Sequence, residues 1–402
     1  MKHSLSLITR SFIIAGISAV AASANAAGTW TEARNDAMGG TGVASSHYSA
    51  AALVNPALLT KFDKSDDFSL ILPAVGAQVS DPDNLQDGVD RIDNDWKSFE
   101  RIVSAGGDAS FAASKLRGSL QDFSGSHAKA HAGASTVAAV PNSVLPFAVV
   151  AKGWGTATVK ANVTESDLQW LDGVSNGTAN GSGLGSLTSS ANGRAAIVAD
   201  MGVAMAREFN VGGFEFSAGI TPKVQRVYTF NYNVAINKYD SSDFRSGNYR
   251  NDKTGANVDV GFSTNLNDNW IVGLVGQNLI ARSIETKEVN GVKDTFKIKP
   301  QATLGTAYSN GFVTTALDVD LTPASRFNSD KDSQFVSVGG ELNAWKWAQL
   351  RAGYRTDIHD SDNSYFTAGI GLSPFDVVHL DITGMAGTDR TYGAVAQLTF
   401  TF

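Results

Sequence analysis

Three short fragments of this sequence contain the residue types of a serine acyl-transfer site. Residues 126–129 read Ser-His-Ala-Lys and fit S-x-x-K, residues 253–255 read Lys-Thr-Gly, and residues 361–363 read Ser-Asp-Asn. Penicillin-recognising enzymes build their nucleophile and its partners from these three fragments. Here, however, Lys-Thr-Gly precedes Ser-Asp-Asn, which reverses the order in those enzymes. Because short motifs often match by chance, the fragments are interpreted as coincidence and no enzyme activity is predicted.

Histidines and aspartates offer a second chemistry, metal binding. His127 and His131 are four residues apart and would share one face of a helix, where imidazoles can bind one metal ion. Neither a glutamate next to His127 nor a third ligand is evident, which favours solvated histidines on a loop. An acidic run could attract calcium, although Leu85 occupies a position where an EF-hand needs an oxygen ligand; the run consists of Asp81, Asp83, Asp87, Asp90, Asp93 and Asp95. A solvated acidic surface is the favoured interpretation, so neither a metal nor a cofactor is predicted.

The secondary structure of the chain is most clearly indicated in its last twelve residues. Residues 391–402 alternate, and their apolar face carries Tyr392, Ala394, Ala396, Leu398, Phe400 and Phe402. The opposite face is mostly polar, as in a strand whose side chains point alternately to two sides. Outer-membrane barrel strands show this pattern, with lipid outside and water inside. Tyr392, Leu398, Phe400 and Phe402 are therefore expected to form a C-terminal assembly signal, with the barrel-assembly machinery and outer-membrane lipid as partners.

Similar alternating runs recur along the chain, each about ten residues, the length that a tilted strand needs to cross a bilayer. The predicted strands lie near 68–79, 132–141, 145–156, 196–208, 213–228, 254–266, 269–281, 299–309, 313–321, 336–343, 350–355, 365–372, 378–383 and 391–402. Tight turns alternate with longer polar links, for example a turn at 344–346 and links at 282–297 and 322–333. The sequence therefore predicts an all-β fold, a transmembrane antiparallel β-barrel of about 14 strands.

Six charged residues fall on the polar faces of predicted strands: Asp318, Asp320, Glu341, Arg351, Arg355 and Asp381. A charge that faces lipid costs up to about 2–4 kcal/mol near the bilayer midplane, so these side chains are expected to face the lumen. Several of them could pair across neighbouring strands. The six could form a network that seats a plug or lines a path, or they could belong to a plain hydrated wall; the sequence leaves both interpretations open.

Two links are much longer than the others. Residues 80–131 have helical spacing, with an apolar face formed by Leu85, Val89, Ile92, Trp96, Phe99 and Val103. A second helix is indicated around Leu116, and the outer-loop apolar face around Trp96 and Phe99 is where a ligand is expected to enter. Residues 158–194 are rich in Gly, Ser, Thr and Asn and lack periodicity, which predicts a flexible surface loop.

The beginning of the chain has the features of an export signal. Lys2 and Arg10 supply positive charge, an apolar region follows, and residues 24–26 read Ala-Asn-Ala, which fits the cleavage pattern. The alternative, a membrane anchor, is disfavoured because the apolar stretch is short and weak. Residues 1–26 are therefore predicted to be a cleaved signal peptide of a protein in the outer membrane of a Gram-negative bacterium.

The amino-acid composition argues against several other kinds of function. The sequence has no cysteine, which excludes disulfides and thiolate metal sites. Its formal net charge of −7 argues against nonspecific binding of nucleic acid, and no nucleic-acid partner is predicted. Forty glycines with only nine prolines indicate many turns and closely packed strands.

Residues 27–62 precede the first strand and do not alternate. Residues 37–44 read Ala-Met-Gly-Gly-Thr-Gly-Val-Ala, and residues 55–57 read Asn-Pro-Ala. In these motifs the chain resembles the FadL-like outer-membrane transporters, and within them the plasmid-transfer TraF-type branch of barrel proteins. The resemblance implies a plugged barrel of fourteen strands through which hydrophobic molecules, such as fatty acids or aromatic hydrocarbons, diffuse. It places the hatch motif on Gly39, Gly40, Gly42, Asn55, Pro56 and Ala57.

The predicted organisation is a signal peptide at 1–26, a plug at 27–62 and an outer-membrane barrel at 63–402. The favoured function is passive transport of hydrophobic small molecules through the plugged lumen. The alternative is an outer-membrane structural or interaction protein, linked to conjugative plasmid transfer or envelope assembly, that transports nothing. A third hypothesis is a soluble secreted β-protein, in which the apolar residues of the strands would lie in a water-soluble core.

Overall fold

The computed structural model describes residues 31–235, 247–345, 347–361, 363–375 and 377–402. Within these ranges, fourteen strands form one closed barrel in which the first and the last strand are neighbours, and every neighbouring pair in the barrel is antiparallel. The predicted barrel of about fourteen strands is confirmed. The predicted signal peptide and the first residues of the predicted plug lie outside the described residues.

The barrel strands are β1 Ser69–Ser80, β2 His127–Val140, β3 Phe147–Asn162, β4 Ser190–Val211, β5 Phe214–Ala235, β6 Arg250–Asn265, β7 Trp270–Gln277, β10 Gln301–Ser309, β11 Val313–Asp320, β12 Phe335–Trp345, β13 Ala348–Asp357, β14 Ser364–Leu372, β15 Val378–Gly387 and β16 Thr391–Thr401. Two further short strands, β8 Arg282–Glu285 and β9 Thr295–Ile298, form a separate hairpin. Each of the fourteen predicted runs corresponds to one barrel strand.

The last strand closes the barrel with the alternation that the sequence shows. Tyr392 is 65% exposed and Phe402 is 58% exposed, whereas Gln397 and Thr401 are buried. Asp67 N donates to Phe402 O over 2.6 Å, so the chain end is tied beside the start of β1. The terminal aromatic residues therefore belong to the outward face of a paired strand rather than to a loose tail.

The outside of the barrel is apolar. Large side chains that face outward from many strands are exposed, among them Leu72, Val149, Met201, Val224, Leu274, Leu304, Leu317, Leu350, Phe366, Ile370 and Ile382. Exposed aromatic residues gather near the short turns, at Phe214, Phe312, Trp345, Trp347, Phe375 and Phe402. An apolar band with an aromatic border is the surface that a bilayer and its interface favour.

Short turns join the strands at one end of the barrel, and the links at the other end are mostly longer, although only the three residues 388–390 lie between β15 and β16. The link between β3 and β4, predicted to be a flexible loop at 158–194, is different in the structure. β3 and β4 extend well into this range, and an α-helix occupies Glu165–Ser175 between them. The prediction was wrong because Leu168, Leu171 and Val174 form a buried helical face that the surrounding small polar residues hide.

Three outer-loop helices pack together beside the long-link end. They are α3 Leu85–Ser104, α4 Ser110–Phe123 and α5 Glu165–Ser175, and they share one apolar cluster. Ala128 of β2 and Ala161 of β3 belong to the same cluster, so the helices pack against the outer face of these two strands. Within the described part of the chain, no helix combines the length and the apolar character needed to cross a membrane.

The N-terminal segment, residues 31–62, lies against the inner wall of the barrel. It contains α1 Ala33–Ala37, a 3₁₀ turn at Tyr48–Ala50, α2 Ala51–Val54 and a second 3₁₀ turn at Pro56–Thr60. Most of its residues are buried, and its apolar side chains pack with Ile71, Val137, Val150 and Val275 of the strands. The segment is thereby held by β-strands that lie far from it in sequence.

Candidate functional site in the barrel lumen

A belt of glycines on the inner wall lets the N-terminal segment approach the strands closely. The belt consists of Gly219, Gly261, Gly273, Gly305, Gly339, Gly353 and Gly369, on seven different strands. A Cβ atom on Gly339 would lie 2.1 Å from Met38 O, and one on Gly273 would lie 2.3 Å from Val43 O. Since neither distance is tolerable, the wall must be glycine where the segment crosses it.

The glycine-rich part of the segment forms the other half of this contact. Gly39 and Gly40 have φ values of +75° and +83°, which favour glycine. Gly39 N donates to Thr367 Oγ1 over 2.9 Å. The backbone nitrogens of Gly42 and Val43 donate to Asp318 Oδ2 over 2.8 and 3.0 Å, so one buried strand carboxylate holds the bend.

Asn55 connects three parts of the molecule. Its Nδ2 donates to Val43 O over 2.7 Å and to Phe262 O of β6 over 3.2 Å. Its Oδ1 accepts from Ala57 N over 3.1 Å, which caps the 3₁₀ turn that begins at Pro56. Asn55 is 0% exposed, so the side-chain amide satisfies backbone groups that water does not reach.

A buried charge network joins α1 to three strands. Arg34 contacts Glu341 through two nitrogens, at 2.8 and 3.0 Å, and Arg351 Nε donates to the same carboxylate over 2.6 Å. Arg351 also binds Asp381. Burial opposes the charge on Arg34, but the Glu341 carboxylate outweighs it and raises the pKa of Arg34. We call these four residues the anchor network.

Of the other predicted inward charges, Asp320 and Arg355 lie nearer the long-link end of the barrel. Asp320 accepts from Thr303 Oγ1 over 2.8 Å and from Phe335 N over 3.2 Å. The Arg355 guanidinium lies 4.0 Å from the centre of the Phe335 ring. Thus the structure brings Glu341, Arg351 and Asp381 together and places Asp320 and Arg355 elsewhere in the lumen.

A second charge network was missed by sequence reasoning. Lys223 Nζ lies 2.8 Å from Asp259 Oδ2 and 3.2 Å from Asp200 Oδ2, and all three are buried. Lys152 is buried opposite Asp200 on the neighbouring strand. The sequence contained evidence for this network, because all four charged residues fall on predicted strands and a charged side chain there is expected to face the lumen rather than lipid.

An aromatic cluster fills the lumen beside this network. The β8–β9 hairpin folds inward, and Phe296 lies 5.6 Å from the Trp154 ring and 5.3 Å from the Phe327 ring. Phe296 and Phe327 are at most 1% exposed. Residues 282–297 were predicted to be a polar link, and this was wrong: Ile284, Phe296 and Ile298 supply one apolar face of a hairpin.

The outer chamber is a cavity of about 1250 Å³ at the long-link end of the barrel. Hydroxyl, amide and charged side chains dominate its wall, and the basic residues that the described ranges contribute are Lys129, Lys160, Arg194, Lys293, Arg326, Lys331 and Arg355. The Arg326 guanidinium lies 4.4 Å from the centre of the Trp154 ring and so covers the aromatic cluster. Burial, with Arg355 nearby, lowers the pKa of Arg326 to about 10.

The outer-loop apolar face is packed rather than open. Phe99 is 0% exposed and lies edge-on to Trp170 at 5.9 Å, and Trp96 packs against the same cluster. Because the three helices bury this face against one another, it offers no surface to a passing ligand in this conformation.

The three acyl-transfer fragments are not assembled into one site. Ser126 is buried, and its carbonyl accepts from Ala161 N. Lys129 and Asn363 line the outer chamber, residues 253–255 belong to β6, and Asp362 lies outside the described residues.

His127 and His131 are on a strand, where four residues span about 13 Å, too far to share a metal ion. In the ranges that the structure describes, no group of three or more acidic or histidine side chains is arranged to hold a metal.

Several solved structures share this fold at low sequence identity. The toluene transporter TbuX of Ralstonia pickettii is 12% identical, with a TM-score of 0.56 over 92% of this chain and 98% of that chain. The toluene transporter TodX of Pseudomonas putida is 13% identical, with a TM-score of 0.52 over 92% and 96%. The monoaromatic hydrocarbon channel CymD is 11% identical, with a TM-score of 0.55 over 93% and 98%. The barrel fold of the FadL-like resemblance is thereby confirmed.

Sequence comparison gives one family. No curated protein matches the chain significantly. The model of the family described as "F plasmid transfer operon, TraF, protein" matches residues 52–320. This range runs from the second half of the N-terminal segment to the end of β11 and covers more than half of the sequence. The chain therefore belongs to this TraF family, and it folds as a closed β-barrel similar to those of the three solved structures.

Proposed function

We propose that this protein lets small hydrophobic molecules cross the outer membrane of a Gram-negative bacterium passively. One observation carries the proposal: the barrel shares its fold with toluene transporters and a monoaromatic hydrocarbon channel over more than 90% of both chains. The apolar outer surface supports a place in a lipid bilayer, with the last strand as the signal for barrel assembly.

The N-terminal segment is the proposed plug. Its glycines lie flush on the glycine belt, Asn55 holds it to β6, and the anchor network holds it to β12. A barrel of this size has an interior too wide for wall side chains alone to fill, so an added segment is needed to prevent leakage. The burial of its contacts supports a plug that is seated in the resting state.

The proposed route passes from the outer chamber through the aromatic cluster. Trp154 lines the chamber and also contacts Phe296, so it lies at the boundary between the polar mouth and the apolar interior. A hydrophobic ligand that displaces the hairpin from this cluster would exchange apolar contacts with protein for equivalent ones. Its own burial would contribute about 25 cal/mol per Å² of apolar surface removed from water.

Uptake of radiolabelled toluene tests the proposal. The full chain would be expressed in a Gram-negative host that lacks a comparable channel, and the initial uptake rate compared with an empty vector. We expect faster uptake with the chain, and altered uptake in Asn55→Ala and Pro56→Ala at normal expression. Asn310→Ala is the matched control, because Asn310 caps a turn outside the lumen through Phe312 N and Val313 N. Uptake no faster than with the vector would contradict transport, and wild-type uptake in the Asn55 and Pro56 variants would contradict the plug.

A second candidate is an interaction role in conjugative plasmid transfer. Two observations favour it: the family is that of a protein from the F plasmid transfer operon, and the outer-loop helices form their own packed core at the long-link end. This role predicts that replacing residues 82–125 by a short turn lowers plasmid transfer while toluene uptake persists. Unchanged transfer frequency with a correctly assembled, shortened barrel would contradict it.

A further inference from the structure

The outer chamber has the opposite charge balance to the protein as a whole. Its wall carries seven Lys or Arg side chains and four Asp side chains, counted over the described residues. The complete sequence has 32 Lys and Arg against 39 Asp and Glu. A concave surface with an excess of one sign of charge concentrates ions of the opposite sign. The excess positive charge of the chamber therefore favours binding of anions, although the protein as a whole is acidic.

Two lysines at the mouth of the chamber lie close together on neighbouring strands. Lys129 of β2 lies opposite Thr158, and Lys160 of β3 lies opposite His127, so the two lysines are diagonal neighbours on the chamber side of one strand pair. Diagonal neighbours are within about 7–8 Å. Neither lysine makes an ion pair with any residue that the structure describes, and both are exposed to the chamber. Their mutual repulsion would be relieved by a bound anion.

The rest of this wall offers hydrogen bonds. Thr156, Thr158 and Asn162 of β3 and Asn192 of β4 line the chamber around the lysines. These residues present hydroxyl and amide groups, which donate and accept hydrogen bonds. A hydrocarbon in contact with them would leave those groups without water or partner, at a cost. Arg326 covers the nearest aromatic face, so this side of the chamber is matched to a ligand rich in hydroxyl groups.

The other basic residues of the chamber are largely committed to structure. Arg194 binds Asp294 and lies 3.7 Å from Asp330, and Lys331 lies 3.4 Å from Asp360. The Arg194 pairs hold the loops around Asp294 and Asp330 against the wall, whereas the Lys331 side chain is largely exposed and its pair contributes little. Arg194 of β4 lies opposite Thr158 and is therefore next to the lysine pair on β2 and β3. Unlike Arg194, neither of these lysines shares its charge with a carboxylate in an ion pair among the described residues, so both can offer it to a ligand.

We propose that the outer chamber binds an acidic oligosaccharide, with Lys129 and Lys160 holding its anionic groups and the threonine and asparagine side chains of β3 and β4 holding its hydroxyls. The volume of about 1250 Å³ exceeds that of ordinary small-molecule pockets and accommodates several sugar rings. This ligand class goes beyond hydrophobic transport, since it concerns the polar mouth and needs no passage through the aromatic cluster.

Calorimetry on the full chain in detergent micelles tests this proposal. The probe is a heparin-derived hexasaccharide, with uncharged maltohexaose as its neutral counterpart. We expect the hexasaccharide to bind and maltohexaose not to bind. Binding is also expected to weaken between about 50 mM and about 300 mM salt, because screening reduces the attraction of exposed charges. Binding of both sugars with equal affinity, or of neither, would overturn the proposal.

Matched double variants locate the site. Lys129→Gln with Lys160→Gln should weaken hexasaccharide binding by about tenfold or more, where tenfold corresponds to about 1.4 kcal/mol. Arg91→Gln with Arg101→Gln removes the same charge from the exposed face of α3 and should leave affinity unchanged. Equal affinity in the two double variants would refute the site.

Two further measurements separate this proposal from simpler explanations. Sodium sulfate that competes as well as the hexasaccharide at equal ionic strength would show a simple anion site and overturn the oligosaccharide class. The affinity of the full chain for the hexasaccharide should be the same with and without toluene in the calorimeter cell, because neither lysine touches the aromatic cluster through which toluene would pass. The oligosaccharide proposal therefore stands or falls independently of hydrocarbon transport.

Discussion

Arg34 and Glu341 form a two-point contact between the N-terminal segment and the barrel wall. Arg34 Nε and Nη2 lie 2.8 and 3.0 Å from the two oxygens of Glu341, although 307 residues separate them in sequence. Glu341 also accepts from Arg351, which binds Asp381. Because each charge in this buried set has an opposite neighbour, the network is balanced only while α1 is in place.

Glu341→Gln should therefore loosen the N-terminal segment. The substitution leaves the partly buried Arg34 and the buried Arg351 with one fewer carboxylate, and removal of one partner from a buried ion pair typically costs about 3–5 kcal/mol. We expect a lower urea midpoint by tryptophan fluorescence and faster hydrogen exchange at residues 33–42. The control is Glu208→Gln, because Glu208 also contacts the segment, through Lys61 at 3.6 Å, but is 55% exposed. An exposed pair contributes about 0–1 kcal/mol, so equal effects of the two substitutions would contradict an anchoring role.

Gly339→Ala should displace the segment without disturbing the strand. The added Cβ would lie 2.1 Å from Met38 O, a backbone atom that can move only if the segment moves. Gly340→Ala is the matched control on the same strand, because its Cβ would meet nothing closer than Thr314 O at 3.7 Å. We expect the first variant to expose residues 37–42 to protease and the second to behave as wild type. Protection of that stretch in Gly339→Ala would show that the wall can adapt.

The barrel itself was predictable from the sequence. In strands such as β11 and β16 the side chains alternate between lipid and lumen, and the outward face is mainly apolar whereas the inward face is mainly polar. One face of each strand meets lipid and the other meets water. The polarity of every second residue therefore indicates which way its side chain points. This physical contrast explains why Asp318, Glu341 and Arg351 could be placed on inward faces before their partners were known.

The lumen was less predictable because its contacts join distant parts of the chain. The Lys223 pairs with Asp200 and Asp259 depend on which strands are neighbours, which alternation alone does not give. The inward hairpin contains only four residues in each strand, β8 and β9, too few for a clear period. At the end of β3, small residues such as Ala157 and Ala161 make the outward face only weakly apolar, so the strand extension resembled a loop.

Phe296→Ala should release the β8–β9 hairpin from the aromatic cluster. Phe296 is 0% exposed between Trp154 and Phe327, and truncation of a buried phenylalanine typically costs about 3–5 kcal/mol. We expect faster hydrogen exchange across residues 282–298, with the barrel strands unchanged. If the hairpin blocks the route, toluene uptake should rise as well. Phe111→Ala is the control, because Phe111 is 79% exposed on α4; similar exchange in the two variants would contradict a blocking hairpin.

Asp167→Asn should weaken the outer-loop helices in a manner that depends on pH. Asp167 Oδ2 accepts from Thr188 N over 2.9 Å and from Ser189 N over 2.6 Å, which fastens the link before β4 to α5. Burial acts to raise the pKa of this carboxyl, but the hydrogen bonds from Ser189 and Thr188 outweigh it and lower the pKa. The folded loop therefore favours the carboxylate, and the stability that this contact contributes is present above the ordinary carboxyl pKa. It is lost as the pH falls through the lowered value.

Hydrogen exchange at the amides of Thr188 and Ser189 measures this contact. At about pH 7 the asparagine variant should lose about 1.5 kcal/mol of local stability, a value near the lower end for a hydrogen bond to a charged group. This loss corresponds to about tenfold less protection of the two amides from exchange. Near pH 3 the difference from wild type should narrow, because the wild-type carboxylate begins to protonate. Asp172→Asn on the same helix is the control, since Asp172 pairs with Arg117 at 2.6 Å but its side chain is 47% exposed. A protection difference between Asp167→Asn and wild type that stays constant from about pH 7 to about pH 3 would mean that the amide replaces the carboxylate only as a poorer acceptor, with no role for its charge.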